Sequence, residues 1–185
     1  MPRYLPVPSV AASEKVKAIY AEAEGTAGFV PNFIGTWAHS ENFVGAVADL
    51  YKTVTGETSL SDKIHQLVVL KTCKLDKCPY TIAHYTPKAL DSGWSEEQIN
   101  AMETYAESDL FVYYEKEILQ LAELITDRPD DISDEFWTQL NNHYTSDQVV
   151  ELITLIGFFN LVNRLVLALQ VELEPQLKET LVAAG

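Results

Sequence analysis

The apolar residues of this chain recur at helical spacing along almost its entire length. Ile64, Leu67 and Val68 follow the i, i+3, i+4 pattern of one helix face, and the segment 119–125 repeats it. No segment shows the convincing alternation of apolar and polar residues that indicates a half-buried strand. The pattern therefore predicts an all-α fold.

Start and stop signals divide the chain into about nine predicted helices. Most of the eight prolines fall between the helical segments, where a missing N–H group removes no helical hydrogen bond. The other signals are the capping-box pairs Ser95–Gln98 and Thr145–Gln148 and the candidate C-terminal glycines Gly56 and Gly93.

The length of the chain favours a single domain. With 185 residues and 47% hydrophobic content, it can bury one substantial core. We predict one domain over 1–185, with a core unit at about 40–110 and a second helical unit at about 133–185. A weak internal repeat suggests the two units, because "SDKIHQLVVL" at 61–70 and "SDQVVELITL" at 146–155 share four of ten residues.

Charge and hydropathy restrict the partners and the location of the protein. The chain carries 27 acidic and 13 basic residues, a net charge of −14, so nucleic acid and anionic membranes would repel it. The N-terminus lacks an apolar run of signal-peptide length, and polar residues interrupt the long apolar segment 152–173. We expect a soluble, cytoplasmic protein without a membrane span.

Asn160, Asn163 and Arg164 are the polar residues that interrupt this apolar segment. Their i, i+3, i+4 spacing places them on one helix stripe, where they need partners or an interface. We expect a structural or subunit-interface ion pair here rather than a substrate contact.

The pair Cys78–Pro79 is the main chemical feature of the sequence. Proline suits the first position of a helix, which makes Cys78 the N-cap residue. The positive end of a helix dipole and its free amides favour a reactive thiolate. Cys73 precedes it by five residues, and a chain reversal at 74–77 would bring the two thiols close together. The alternative is two semi-buried thiols without a redox role.

Pro87 falls about two turns into the same predicted helix. An interior proline costs about 3 kcal/mol and removes the hydrogen bond to the carbonyl of Ala83. We therefore expect a kink near His84, or a helix that restarts at Thr86.

Several segments carry a family likeness. "CPY" at 78–80, "AHY" at 83–85 and "GWSEEQI" at 93–99 resemble the core of the alkylhydroperoxidase D and carboxymuconolactone decarboxylase superfamily. "VPNFIGTWAHSENF" at 30–43 and the segment 143–175 look like its lead-in and its C-terminal helical unit. The resemblance covers nearly the whole chain, and it implies that superfamily's multi-helical fold, its peroxidase-related branch and a symmetric oligomer.

The active-site motif departs from the pattern of the redox branch. That branch carries Cys-x-x-Cys-x-x-x-His and an upstream Glu, and the resemblance assigns its first cysteine to Cys78. The second cysteine falls on Thr81, the histidine on Tyr85 and the glutamate on Gln66. The branch activates its dithiol with a Glu–His relay, so this chain lacks both the second thiol and the relay at the expected positions.

Neighbouring residues offer substitutes for the missing groups. His84 and His65 lie one position from the expected sites, where a helix turns the side chain by about 100°. Cys73 shares a predicted helix face with Gln66, so it is a candidate resolving thiol. Glu151, which the internal repeat aligns with Gln66, is a candidate buried carboxylate for acid–base work. Each of these residues can equally be a packing or surface residue.

Three functions fit these residues. The first is a thiol-dependent peroxidase centred on Cys78, and the second is a cofactor-free lyase or isomerase that uses His84, Tyr85 and Glu151 on a small organic acid or carbonyl compound. The third is a family member that binds a ligand or a protein without turnover. The four histidines show no metal-ligand spacing and no phosphate loop is present, so we expect neither metal nor cofactor.

Overall fold

The computed structural model describes residues 1–178, and these residues contain nine complete α-helices, one short 3-10 helix, further helical residues at 175–178 and no strand. The all-α prediction and the expected number of about nine helices are confirmed. The α-helices are α1 (Glu14–Ala27), α2 (Asn32–Trp37), α3 (Glu41–Thr55), α4 (Asp62–Leu75), α5 (Pro79–Asp91), α6 (Glu96–Ala101), α7 (Tyr113–Asp127), α8 (Asp134–His143) and α9 (Ser146–Leu169).

The chain divides into two compact units. Among the described residues, the first unit holds 1–57 and 164–178, and the second holds 58–163. The single domain over 1–185 and the units expected at about 40–110 and 133–185 stay predictions. Within the first unit α3 packs against α1 and α2, and its interior includes the side chains of Val16, Tyr20 and Val44.

Helix α4 is the centre of the second unit. It packs against α5 and α7, and α7 also packs against α8. Every side chain from Leu67 to Leu70 is completely buried, so α4 is covered on all sides over this turn. A helix that is apolar all round is stable only in such surroundings. The residues that follow, up to Cys73, are also buried, and they lead the chain directly into the candidate site.

Helix α9 is long and apolar enough to cross a membrane by length and composition alone. Half of its most apolar window is buried inside the protein, however, which is the behaviour of a core helix in a soluble protein. The two repeat segments at 61–70 and 146–155 both lie at helix starts, one entering α4 and the other α9. Whether they descend from one duplicated unit stays a prediction.

Several of the predicted caps are present. Ser95 and Gln98 form a complete capping box at α6, and Gln98 also donates to the carbonyl of Leu110. Gly93, just after α5, has a φ of 99°, a left-handed conformation that favours glycine. Gly56 is the C-cap residue of α3 as expected; its φ of −84° is ordinary, but a Cβ there would lie 2.7 Å from the carbonyl oxygen of Lys52, so the close approach favours glycine.

The expected restart at Thr86 is absent, since α5 runs without interruption from Pro79 to Asp91, while the kink near His84 stays a prediction. Pro87 itself is exposed, while Ala83 and Ala89 on the same helix are buried. The hydroxyl of Thr86 donates to the carbonyl of Ile82 at 2.8 Å. The packing of the buried face offsets the cost of one missing N–H donor, so the helix neither ends nor restarts at Thr86.

Candidate active site at the turn between α4 and α5

A Schellman motif ends α4 and reverses the chain between the two cysteines. The N–H of Lys77 donates to the carbonyl of Lys74 at 3.0 Å, and the N–H of Cys78 donates to the carbonyl of Cys73 at 3.1 Å. Lys77 has a φ of 52°, the left-handed position that this motif requires. The chain reversal at 74–77, which the sequence left open, is therefore present. It brings the backbones of Cys73 and Cys78 into direct contact.

Replacing Lys77 with glycine should stabilise the protein by about 1 kcal/mol, because a side chain is strained in the left-handed conformation and glycine is not. The midpoint of urea denaturation at unchanged slope measures the effect. Lys74→Gly is the matched control, since it removes the same charge from the body of α4 and should destabilise by about 1 kcal/mol. A lower midpoint for Lys77→Gly would contradict this account of the turn.

Cys78 occupies the position that the sequence predicted for it. It is the N-cap residue of α5, and Pro79 follows at the first turn of the helix. Its side chain is completely buried. The thiol lies at the helix start, where backbone amides lack helical partners, but it makes no capping hydrogen bond with them. The helix start is a setting that favours a nucleophilic thiol, but the complete burial of Cys78 does not give it the exposure of a reactive cysteine.

Cys73 is also completely buried, in a more polar setting than the sequence suggested. The pKa of its thiol is raised to about 12, mainly by burial and to a smaller extent by the nearby Cys78 and Asp76. Hydrogen bonds from the side chains of Thr81 and Asn163 oppose the shift. Cys73, Cys78 and Thr81 therefore form one cluster, in which Cys73 is a neutral thiol at ordinary pH.

A short hydrogen-bonded chain lies behind this cluster. The hydroxyl of Thr81 donates to Oδ1 of Asn163 at 2.7 Å, and Nδ2 of Asn163 donates to Oδ2 of Asp76 at 2.9 Å. Asn163 is completely buried, so both of its contacts replace water. The amide thus ties α5 and the turn after α4 to the second unit's part of α9. Sequence reasoning missed the role of Asp76, because no pattern links it to Asn163.

The high pKa of Cys73 has a consequence for stability at alkaline pH. Above the ordinary pKa of 9.0 the unfolded chain loses the thiol proton, while the folded protein keeps it up to about pH 12. The unfolded state then binds fewer protons, so stability falls as pH rises between these values. Between pH 8 and pH 10 the wild type should lose about 1 kcal/mol more stability than Cys73→Ala. Equal losses in urea denaturation would contradict the burial of a protonated thiol.

Tyr85 and His84 lie on different faces of α5. Tyr85 is buried, packs edge-on against Phe159 at 4.8 Å between ring centroids, and shares the i, i+4 face with Thr81. His84 is half-buried and stacks on Tyr80 at 4.6 Å. Tyr85 therefore shares a buried face of α5 with Thr81, and His84 lies on a different face.

Gln66 and His65 lie two turns before Cys73 on α4. Nε2 of Gln66 is 3.3 Å from Oδ1 of Asp62 and 3.4 Å from Nδ1 of His65. Oε1 of Gln66 is shielded from solvent and has no hydrogen-bond partner among the described residues. Gln66 thus keeps one buried acceptor available, but an amide cannot titrate.

Glu151 has a local structural task in α9. Its carboxylate accepts hydrogen bonds from the backbone N–H of Ser59 at 3.0 Å and from the Ser59 hydroxyl at 2.8 Å. Gln148 on the same helix donates to the carbonyl of Ser59 at 3.0 Å. Glu151 and Gln148 therefore fasten the loop before α4 to the start of α9.

The polar stripe of α9 does not form one ion-paired group. Asn160 is buried and exchanges hydrogen bonds of 3.3 and 3.4 Å with Thr126, while Asn163 joins the cysteine cluster. Arg164 is exposed.

The buried carboxylate of Glu117 lies outside this stripe and pairs with Nδ1 of His143 at 2.8 Å. The described residues hold no group of three or more His, Cys, Asp or Glu side chains able to bind a metal ion.

Comparison by sequence gives one relative of modest similarity. The uncharacterized protein YdfG of Bacillus subtilis is 28% identical over 116 residues, which cover 62% of this chain and 79% of YdfG. No protein-family model matches the chain. Sequence comparison alone therefore leaves the family open.

Solved structures match a larger part of the chain. An uncharacterized peroxidase-related protein from Ralstonia eutropha JMP134 with an alkylhydroperoxidase AhpD core has a TM-score of 0.78 at 20% identity, covering 95% of this chain and 94% of the other. A peroxidase-related protein from Silicibacter sp. TM1040 has a TM-score of 0.78 at 17% identity, with 95% and 90% covered.

The debrominase Bmp8, in a cysteine-to-alanine variant complexed with 2,3,4-tribromopyrrole, has a TM-score of 0.78 at 18% identity, with 98% of this chain and 96% of Bmp8 covered. Identities of this size establish the fold and leave the activity to be tested. The resemblance seen in the sequence is confirmed at that level: this chain has the all-helical fold of the alkylhydroperoxidase D-like proteins.

Proposed function

We propose that this protein is a thiol-dependent peroxidase in which Cys78 attacks the substrate and Cys73 resolves the intermediate. The observation that carries the proposal is the position of Cys73 beside Thr81. Thr81 is the residue that matches the second cysteine of the redox branch. The Schellman turn thus supplies a second thiol from α4 at the place where the family motif supplies one from α5.

The position of Cys78 supports its role as the attacking thiol. Burial keeps Cys73 protonated, since its pKa is raised to about 12. Cys78 lies at the start of α5, where the helix amides can stabilise negative charge on sulfur. Tyr85 and the shielded oxygen of Gln66 replace a titrating relay with fixed polar groups.

The reaction balances with a hydroperoxide and an external dithiol. The thiolate of Cys78 attacks the terminal peroxide oxygen, the O–O bond breaks, and the alkoxide leaves with a proton to give an alcohol and a sulfenic acid. The sulfur of Cys73 then displaces hydroxide, which takes the Cys73 proton and leaves as water, and a disulfide forms. A dithiol reductant returns both cysteines to thiols while it is oxidised itself.

Burial limits the substrate size. Both thiols are completely covered, so reaction requires a small peroxide or a local opening of the turn around the strained Lys77. We expect hydrogen peroxide and small alkyl hydroperoxides to react, and bulky lipid hydroperoxides to react poorly. The protein would act as a soluble, cytoplasmic homo-oligomer on a small molecule, without nucleic acid, membrane, metal or cofactor.

A peroxide pulse followed by peptide mass spectrometry tests the proposal. The wild type should gain a Cys73–Cys78 disulfide, Cys73→Ser should accumulate sulfenic acid on Cys78, and Cys78→Ser should gain neither product. Consumption of hydrogen peroxide in the presence of a dithiol should depend on both cysteines. If Cys78 stays a thiol while the folded wild type is exposed to peroxide, the proposal is wrong.

The likeness to the debrominase Bmp8 supports a second candidate substrate for the same cysteine pair, a brominated aromatic compound. Two thiols can reduce a carbon–bromine bond: hydrogen replaces bromine on the carbon, bromide and a proton are released, and the thiols form a disulfide. Incubation with 2,3,4-tribromopyrrole and measurement of bromide release tests this candidate. Release that survives in Cys78→Ser would exclude the cysteine pair as the source of electrons.

The lyase alternative depends on Glu151, whose carboxylate already holds Ser59. Glu151→Gln retains one acceptor oxygen but loses the charge, so it should lower stability by about 1 kcal/mol and leave peroxide consumption unchanged. Thermal denaturation and the peroxide assay measure the two effects, with Gln148→Ala as a control for loss of the neighbouring contact. A variant that folds stably but loses turnover of a small acid or lactone would favour the lyase.

A further inference from the structure

A pocket lies within the first unit, between α1, α2 and α3. It is partly open to solvent and has a volume of about 150 Å³, and residues from these helices and from the α1–α2 connection line it. Its wall is predominantly apolar and includes Ile19, Phe33, Trp37, Val44, Val47 and Tyr51. None of the residues of the cysteine cluster contributes to it, because all of those belong to the second unit.

The shape and the lining of the pocket suit an aromatic ring. Phe33 stands edge-on to Trp37 at 6.0 Å and tilted towards Tyr51 at 6.3 Å between ring centroids, so three rings define one side. Aromatic side chains favour such edge and offset contacts with a further ring. An apolar cavity of roughly 150 Å³ in another protein stays dry and takes up benzene, so the volume suits one six-membered ring.

The polar groups at the pocket favour a neutral ligand. Glu22 and Lys52 line it and form an ion pair with each other, and Lys52 also lies 3.9 Å from Asp49. Two carboxylates therefore accompany one ammonium group, and the chain as a whole carries a charge of −14. An anionic ligand would be repelled. The hydroxyls of Thr26 and Thr55 already donate to carbonyls of their own helices.

Small residues keep the pocket open. Ala23 on α1 and Ala48 on α3 contribute only methyl groups to its lining. Larger apolar side chains there would fill the volume, and an unfilled cavity weakens the dispersion contacts of its walls. We propose that this pocket is a binding site for a small neutral aromatic compound of about one ring, independent of the cysteine chemistry.

Thermal unfolding with toluene as the probe tests the proposal. Toluene near saturation should raise the midpoint of the wild type by about 2 °C, because a ligand that binds only the folded state stabilises it. Benzoate, with the same ring and a negative charge, should leave the midpoint unchanged. Ala48→Leu should reduce toluene binding at least tenfold, while Ala46→Leu, on the exposed face of the same helix, should bind as the wild type does.

Three results would overturn the proposal. They are the absence of a toluene shift in the wild type, an equal shift in Ala48→Leu, and a wild-type dimer in sedimentation that Ala48→Leu dissociates. In the last case a second copy of the chain would cover the pocket. If Ala48→Leu fails to fold, Ala23→Leu fills the pocket from the opposite wall, and saturation-transfer NMR reads toluene binding directly.

Discussion

At pH 8, iodoacetamide should modify Cys73 roughly a thousandfold more slowly than a free thiol when Cys78 is replaced by serine. The reason is that the thiolate is the reacting species, and burial raises the pKa of Cys73 to about 12 from an ordinary 9.0. At pH 8 the fraction of thiolate therefore falls by about three powers of ten. Peptide mass spectrometry over a time course gives the rate.

Two controls separate this electrostatic effect from simple inaccessibility. In urea the Cys73 site should react at the rate of a free thiol, because the desolvation that raises its pKa is lost. In the folded Cys78→Ser variant the rate should rise tenfold for each pH unit between 8 and 10 without levelling off. A rate at pH 8 close to that of a free thiol would contradict the assignment of Cys73 as the neutral, resolving partner.

The sequence predicted the parts of the site that depend on local rules. Pro79 at the first turn and Cys78 at the N-cap follow from the fixed φ of proline and its missing donor. The helical class follows from the period of the apolar residues. Both depend on residues within one helical turn of each other, where local geometry decides.

The sequence could not predict features that depend on distant packing. The reversal at Lys77 uses a residue type that avoids the left-handed conformation, so only the surrounding structure imposes it. Pro87 stays inside a helix because the buried face of α5 outweighs the lost hydrogen bond. Glu151 looks like a candidate base until its partner Ser59, 92 residues earlier, is placed beside it.

Asn163 shows the same limit within the site. Its spacing with Asn160 and Arg164 suggested an ion-paired or interface stripe, since three polar residues shared one helix stripe. The structure assigns the three to different surroundings, and only Asn163 reaches the cysteine cluster. The helical period predicts which face of the helix a residue occupies. It does not predict which residue from another part of the chain contacts it there.

Asn163→Leu should destabilise the protein by about 3 kcal/mol, the largest loss expected from a single substitution near the cysteines. The change removes the donor to Asp76, which is half-buried, and the acceptor for Thr81, which is buried where water cannot replace the amide. Urea denaturation at pH 7 measures the loss. Asn160→Leu is the matched control, because its hydrogen bonds with Thr126 are longer and involve no charged group, so its cost should be about 1 kcal/mol.

The same substitution should also change the chemistry of Cys73. The side chain of Asn163 favours the ionised form of that thiol, so its loss should push the pKa of Cys73 higher still. Formation of the Cys73–Cys78 disulfide after a peroxide pulse should slow, while oxidation of Cys78 itself should proceed at the wild-type rate. A purely structural role would change the rates of both steps together, because a loosened turn would expose both thiols. Rates measured well below the denaturation midpoint of the variant therefore decide whether the amide positions the resolving thiol or only holds α9 in place.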